Sequence, residues 1–326
     1  MGYNLYLIMD LYNLKNKKLT QIDSKPFNLE KDIQKVVEEN TQELFNLQYV
    51  TSEFSLGDFR IDTLCFDEEY NSFVIIEYKK GKSYSVIDQG YSYLSLMLNN
   101  KSDFILEYNE NKKNNLKRGD VDWGSSKVIF LSPSFNTYQK NSVNFKDVPF
   151  ELWEIKRFSN NTIGLDQHIS TSKESIQKID SSKDSVIRKV GKEVKVYEEN
   201  DQISKCSKSL IENWNKLKEY FSNLEGVEIV PKRSYISLMI GKKNVSFFNF
   251  RKETILIELL RGQISPDGTK SKNYFNLDDP KKVSKESGWK WKSGTKGKVY
   301  KILFDKNSDT DYIMFLINQK YKNLTN

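Results

Sequence analysis

Residues 57–81 read GDFRIDTLCFDEEYNSFVIIEYKKG, and this stretch decides the fold of the N-terminal half. Two strand-like runs, 59–66 and 72–79, flank the polar turn 67–71, the signature of a β-hairpin. With the hairpin centred between Glu69 and Tyr70, cross-strand partners have residue numbers summing to 139, which sets Asp62 opposite Glu77. Side chains alternate along a strand, so Glu77 and Lys79 share one face while Ile76 and Tyr78 take the other. Directly opposed residues have Cβ atoms about 4.5–5.5 Å apart, where like charges destabilise the pair. Both acids interrupt apolar runs, in which an uncompensated charge is costly. A divalent cation supplies the compensation, and Lys79 adds a positive charge beside it.

Working outward, apolar residues at 33, 36, 37, 44 and 47 predict a helix over 29–47, behind the break at Pro26. Residues 3–11 and 18–23 read as a short hairpin before it. Downstream, Gly81 and Lys82 lead into a helix at 85–98, followed by strands at 104–108, 127–131 and 150–156. Helix, antiparallel strands, helix and further strands predict an α/β sandwich around a mixed sheet. Residues 159–201 are rich in Ser, Lys, Asp and Asn and read as a polar linker or loose excursion. Beyond them a helix at 202–224, strands at 235–240, 245–250, 254–260 and 299–304, and a helix at 309–321 predict a smaller α+β domain. The expected division is 1–158, 159–201 and 202–326.

A length of 326 residues exceeds what one hydrophobic core usually serves, in keeping with two domains. The single histidine, His168, and the two cysteines, Cys65 and Cys206, argue against histidine-based triads, zinc sites and disulfide frameworks. Catalysis on this chain must therefore use carboxylates, Lys, Tyr or a hard metal. The longest apolar runs are strand-sized, far below the ~20 residues of a membrane span. The N-terminus lacks the basic start and cleavage site of a signal peptide, so a cytoplasmic protein is expected. The net charge of +7 favours a polyanionic partner.

Asp62, fourteen intervening residues, and then Glu77-Tyr78-Lys79 after a hydrophobic run resemble the core of the PD-(D/E)XK nuclease superfamily. Ile61 stands where that motif has its proline, a position often degenerate in the superfamily. Gln89-Gly90-Tyr91-Ser92-Tyr93 is similar to the QxxxY pattern of RecB-like exonucleases, with Gln89 and Tyr93 on one helical face. The resemblance spans roughly 18–158 and is to uncharacterised bacterial members, some with a small C-terminal α/β domain. It implies a restriction-endonuclease-like mixed sheet flanked by helices. It further implies that Asp62, Glu77 and the backbone carbonyl of Tyr78 are ligands of Mg²⁺ (or Mn²⁺), and that Lys79 is the catalytic lysine. Gln89 and Tyr93 would bind a phosphate or the water network. The first helix usually lends an acid, for which Glu38 and Glu39 are available and Glu38 lies on the more buried side. Mg²⁺ prefers oxygen ligands and keeps several waters, which suits phosphodiester hydrolysis.

From Lys281 to Lys301, eight lysines face one acid, Glu286, interleaved with Trp289, Trp291 and Tyr300. Basic patches with aromatic neighbours bind phosphates and stack bases; the alternative is a tryptophan core with a charged rim. Lys290, Trp291 and Lys292, with Lys80 and Lys82 beside the first motif, are the candidate nucleic-acid contacts. The expected function is a magnesium-dependent nuclease acting on nucleic acid, DNA first, in repair, restriction or phage defence. The alternative is a non-cleaving nucleic-acid-binding or sensor protein, or an interaction protein whose C-terminal domain recruits a partner or mediates homodimer formation.

Overall fold

The computed structural model describes residues 10–79, 85–179, 185–241, 243–272, 274–290 and 296–325. The chain divides into two compact units, Met1–Val196 and Tyr197–Asn326. Among the described residues no helix is long and apolar enough to cross a membrane.

The described residues of the first unit open with the hairpin β1 (Leu11–Lys15) and β2 (Lys18–Ile22), turned by Asn16 and Lys17 at positive φ. Its first strand is thus 11–15 and not the expected 3–11, of which 3–9 lie outside the described residues. It continues through α1 (Glu30–Glu38), α2 (Thr41–Phe45), β3 (Gln48–Leu56), β4 (Phe59–Asp67) and β5 (Ser72–Tyr78). Then come α3 (Val86–Asn99), α4 (Lys101–Lys112), β6 (Lys127–Ser132), α5 (Thr137–Ser142), β7 (Phe150–Arg157), β8 (Ile163–His168), α6 (Ile176–Ile179) and α7 (Val186–Gly191). The six-stranded sheet runs β3-β4-β5-β6-β7-β8. Its centre β5-β6-β7 is parallel and its outer pairings are antiparallel, so the sheet is mixed.

Every residue of β5 is buried, because helices cover both faces of this central strand and a continuous apolar run satisfies both. On one face Phe73, Ile75, Val128 and Phe130 pack with Tyr91, Leu94 and Met97 of α3 and Phe104 of α4. On the other, Val74, Ile76, Ile129 and Leu131 pack with Ile33 and Val37 of α1. Gly90 lets α3 approach the sheet closely, since a Cβ there would meet the ring of Phe150 at 2.6 Å.

Three expectations are corrected. The stretch 104–108 lies within helix α4, where Phe104 and Tyr108, four apart, are buried while Leu106 is 56% exposed; a strand would have put all three on one face. The expected helix over 29–47 is two helices, broken at Asn40, whose Nδ2 donates to the carbonyl of Val36 (2.8 Å). The polar stretch 159–201 is not a loose linker. It supplies the edge strand β8 and buried Ile176, Val190 and Val194. Its backbone is held by side chains: Asn144 Oδ1 accepts from Thr171 N (2.9 Å) and Asp147 Oδ1 from Ile176 N (2.8 Å).

The second unit contains α8 (Glu199–Ile203), α9 (Lys208–Ser222), β9 (Val227–Pro231), β10 (Ile236–Ile240), β11 (Lys243–Phe250), β12 (Thr254–Ile264), β13 (Ser284–Lys290), β14 (Lys296–Asp305) and α10 (Thr310–Thr325). Its sheet is antiparallel throughout, in the order β13-β14-β12-β11-β10-β9. Leu210, Trp214, Leu217 and Phe221 form one apolar stripe of α9, which packs with Leu316 and Ile317 of α10 against Ile257, Ile302 and Phe304.

Candidate active site

The β4–β5 register pairs Thr63 with Ile76 and Leu64 with Ile75, so the hairpin is centred between Glu69 and Tyr70 and Asp62 stands across from Glu77. At this point a side chain takes over from the backbone ladder. Tyr78 N donates to Asp62 Oδ2 (3.1 Å), which fixes the carboxyl against β5. Lys79 Nζ donates to Glu77 Oε1 (2.7 Å), with both side chains largely buried. The backbone N–H of Lys79 donates to the carbonyl of Leu131 (2.7 Å), which anchors the end of β5 to the neighbouring β6.

Helix α3 completes the cluster. Ser85 caps its start by accepting from Asp88 N (3.3 Å). One turn on, Gln89 Nε2 donates to Glu77 Oε1 (2.8 Å) and to the Tyr93 hydroxyl (3.1 Å). The Tyr93 hydroxyl in turn donates to the carbonyl of Arg60 on β4 (3.3 Å). The structure therefore brings together Asp62, Glu77, Lys79, Gln89 and Tyr93, and Tyr78 contributes backbone from between the two motif residues.

Electrostatics mark the pair. Burial, and then the neighbouring Glu77 carboxylate, push the Asp62 carboxyl up to about 7 from its ordinary 3.8. Burial, followed by Glu77, also raises the Tyr93 phenol, so it remains a neutral donor. Lys79 and Gln89 both engage Glu77 Oε1, whereas Glu77 Oε2 is buried with no hydrogen-bond partner among the described residues. A buried anionic oxygen without a partner is expensive, and the neighbouring Asp62 carboxylate makes it more so. A hard divalent cation fits this donor set. Among the described residues no group of three or more His, Cys, Asp or Glu side chains has metal-holding geometry. Two facing carboxylates are nevertheless a sparse set of the kind that Mg²⁺ accepts, since it retains waters and takes substrate oxygens.

Glu38 is not brought to this cluster. Its Oε1 accepts from Thr63 Oγ1 (2.6 Å) and Gln34 Nε2 (3.0 Å). Thr63, adjacent to Asp62, projects to the opposite face of the sheet, where its hydroxyl lies 3.1 Å from that of Tyr78. Lys80, Lys82, Trp291 and Lys292 lie outside the described residues; Lys290 is exposed at the end of β13.

Two neighbours of Asp62 escaped sequence reasoning. Gln34 Nε2 donates to the backbone carbonyl of Asp62 (3.2 Å). Glu53 lies across from Asp62 on β3, between the pairs Ser52–Thr63 and Phe54–Ile61, and pairs with Arg60 Nε (2.8 Å). Its φ of +53° is a conformation costing a non-glycine residue roughly 1–2 kcal/mol. No sequence pattern signalled either, because a register shift between Tyr49 and Thr51 breaks the alternation that would have revealed β3.

Fold and site together define a mixed-sheet α/β protein bearing a carboxylate–carboxylate–lysine cluster at the end of a central strand. No protein-family model matches the chain. The chain belongs to the same family as an uncharacterized protein of Haemophilus influenzae, with 39% identity over 318 residues, covering 96% of this chain and 100% of that one. Among solved structures, an EndoMS–dsDNA2 complex overlaps 40% of this chain and 48% of its own at 15% identity and a TM-score of 0.26. A repair endonuclease from Pyrococcus abyssi overlaps 36% and 44% at 16% identity and a TM-score of 0.21. The chain thus spans about half the length of each of these two structures.

Proposed function

We propose that this protein is a divalent-metal-dependent nuclease that hydrolyses phosphodiester bonds in nucleic acid, with DNA as the first substrate class to test. The observation that carries this reading is the facing pair Asp62 and Glu77, with Glu77 Oε2 buried and, among the described residues, unpartnered beside a lysine that is itself held in place. Asp62, Glu77 Oε2 and the Tyr78 carbonyl would hold Mg²⁺ or Mn²⁺. When bound, such an ion supplies a nucleophilic water near neutral pH and offsets charge on the phosphate.

The chain's own residues then have distinct roles. Lys79, held at Glu77, places an ammonium where negative charge grows on the phosphate in the transition state. Gln89 fixes the Glu77 carboxylate through Oε1, leaving Oε2 for the cation. Tyr93 bridges α3 to the Arg60 carbonyl and orients Gln89, and its neutral phenol can turn to a phosphate oxygen. Damaged or foreign DNA would be the setting for repair, restriction or phage defence.

The test is cleavage of plasmid, linear and single-stranded DNA and of RNA, with Mg²⁺, Mn²⁺ or EDTA, by the wild type, Asp62→Ala and Lys79→Ala. Metal-dependent cutting that both substitutions abolish supports the reading. Cutting that survives EDTA or both substitutions sinks it. The second reading, a binder that does not cut, is favoured by the charge of the second unit. That unit holds 24 of the 51 Lys and Arg and 16 of the 44 Asp and Glu, a net +8 against −1 for the first unit. Tight, salt-sensitive binding with no cleavage under any metal would select it.

A further inference from the structure

We propose that the end of the β13–β14 ribbon is a phosphate-binding site through which the second unit grips a nucleic-acid backbone. The partner's class rests on the functional reading above; the site rests on the ribbon itself. Antiparallel pairing sets Lys290 directly across from Lys296 and Gly288 across from Lys298. Like charges opposed in this way destabilise a sheet unless an anion lies between or above them. None of the three lysines has an acidic partner among the described residues, and Lys290 and Lys296 are exposed.

The floor between the lysines is bare. A Cβ at Gly288 would stand 2.3 Å from the carbonyl oxygen of Gly297, so this position admits no side chain without moving the partner strand. The result is an open pocket of about 450 Å³, floored by Gly288 and Gly297, walled by the three lysines, with Glu286 at its margin. That one acid is already committed. Glu286 Oε1 accepts from Arg261 Nη1 (2.5 Å), whose Nη2 donates to Asn276 Oδ1 (2.7 Å). The Arg261 guanidinium also lies over the rings of Tyr274 and Tyr300, each 5.1 Å from centroid. The pocket therefore presents three ammonium groups and exposed backbone to a ligand, with its carboxylate neutralised from behind. A tetrahedral phosphate suits it, and a polymer of phosphates would also exploit the unit's surplus of eight positive charges.

The experiment is fluorescence anisotropy of the full chain with a labelled duplex of about 20 base pairs, in EDTA, over a salt series from roughly 50 to 200 mM. The variant is Lys290→Gln/Lys296→Gln/Lys298→Gln. A charge-matched control, Lys205→Gln/Lys208→Gln/Lys216→Gln, removes three exposed lysines elsewhere on the same unit. Each lost phosphate contact lowers the slope of log affinity against log salt by about 0.9, so the ribbon variant should lose a slope of roughly 2–3 and bind at least ~10-fold more weakly. The control should fall well short of both. A ribbon variant with wild-type affinity and slope overturns the proposal, as does a control that loses as much. So does a wild type that binds phosphatidylserine vesicles through these lysines but not the duplex. Because binding is read without metal, its failure leaves cleavage to be judged separately, and a chain that binds through the ribbon but never cuts removes only the nuclease reading.

Discussion

Asp62 holds its proton more tightly folded than unfolded, because burial and the facing Glu77 both disfavour its charge. A carboxyl whose folded value, about 7, exceeds its ordinary 3.8 contributes stability that is full below about pH 4 and is lost as pH rises through 7. The metal-free protein should therefore melt at progressively lower temperature from pH 4 to pH 7. Asp62→Asn should flatten that slope and, if the proposed site is the reacting one, cut hydrolysis at least ~100-fold. Metal ligands must be deprotonated, so under the proposed function Mn²⁺ affinity should climb over the same interval, which titration calorimetry can measure. Glu38 offers a contrasting test. It sits across the sheet on Thr63, so Glu38→Ala should cost roughly 1–3 kcal/mol of stability by removing the hydrogen bonds its carboxylate accepts from Thr63 and Gln34. Its turnover should nevertheless stay within about tenfold of wild type, well short of the loss at a site carboxylate. A loss there matching that of Asp62→Asn would return Glu38 to the metal site. The Asp62–Glu77 juxtaposition was legible in the sequence because the turn at 67–71 fixes the register by itself. The positions of Gln34 and Glu53 were not, since each depends on how α1 and a bulged β3 pack against that hairpin.

At the scale of elements, the sequence distinguishes strand from helix only where length or alternation is decisive. The β4–β5 hairpin and α3 were legible for that reason. The run 104–108 was too short to separate the two, and the buried face shared by Phe104 and Tyr108 settled it as helix. The polar stretch 159–201 misled in another way. Its order comes from Asn144 and Asp147, side chains more than 25 residues upstream that satisfy its backbone N–H groups. Helix α3 carries the sharpest test of packing. Gly90→Ala would gain about 1 kcal/mol of helix propensity but press a methyl into the buried Phe150 ring. Overpacking of this kind costs roughly 1–3 kcal/mol, so a net loss is expected. Denaturant unfolding should show a lower midpoint, and reduced turnover should accompany it because Gln89 and Tyr93 ride on the same helix. An unchanged midpoint would mean that α3 can lift from the sheet without penalty.

The whole molecule segregates its charge: the second unit carries a net +8 and the first a net −1. Raising salt from roughly 50 to 200 mM should therefore raise KM for long DNA steeply while leaving kcat nearly unchanged, because screening weakens the encounter and not the chemistry. A parallel fall in kcat would locate the salt-sensitive contacts at the carboxylate cluster instead. Two-unit organisation was visible in the sequence from length and composition, whereas the boundary near 196 required seeing β8 join the first sheet.

The glycine floor at Gly288 and Gly297 has an evolutionary reading. A surface made of lysines over bare backbone can be retuned one charge at a time, because no core side chain depends on them. The cluster of Asp62, Glu77 and Lys79 has no such freedom, as Lys79 and Glu77 hold one another and the Tyr78 backbone holds Asp62. Within the family shared with the Haemophilus influenzae protein, inheritance should therefore be conservative at the carboxylates and permissive along the ribbon. Diversification would then proceed by adjusting how long a polymer is retained, with the chemistry carried forward unaltered.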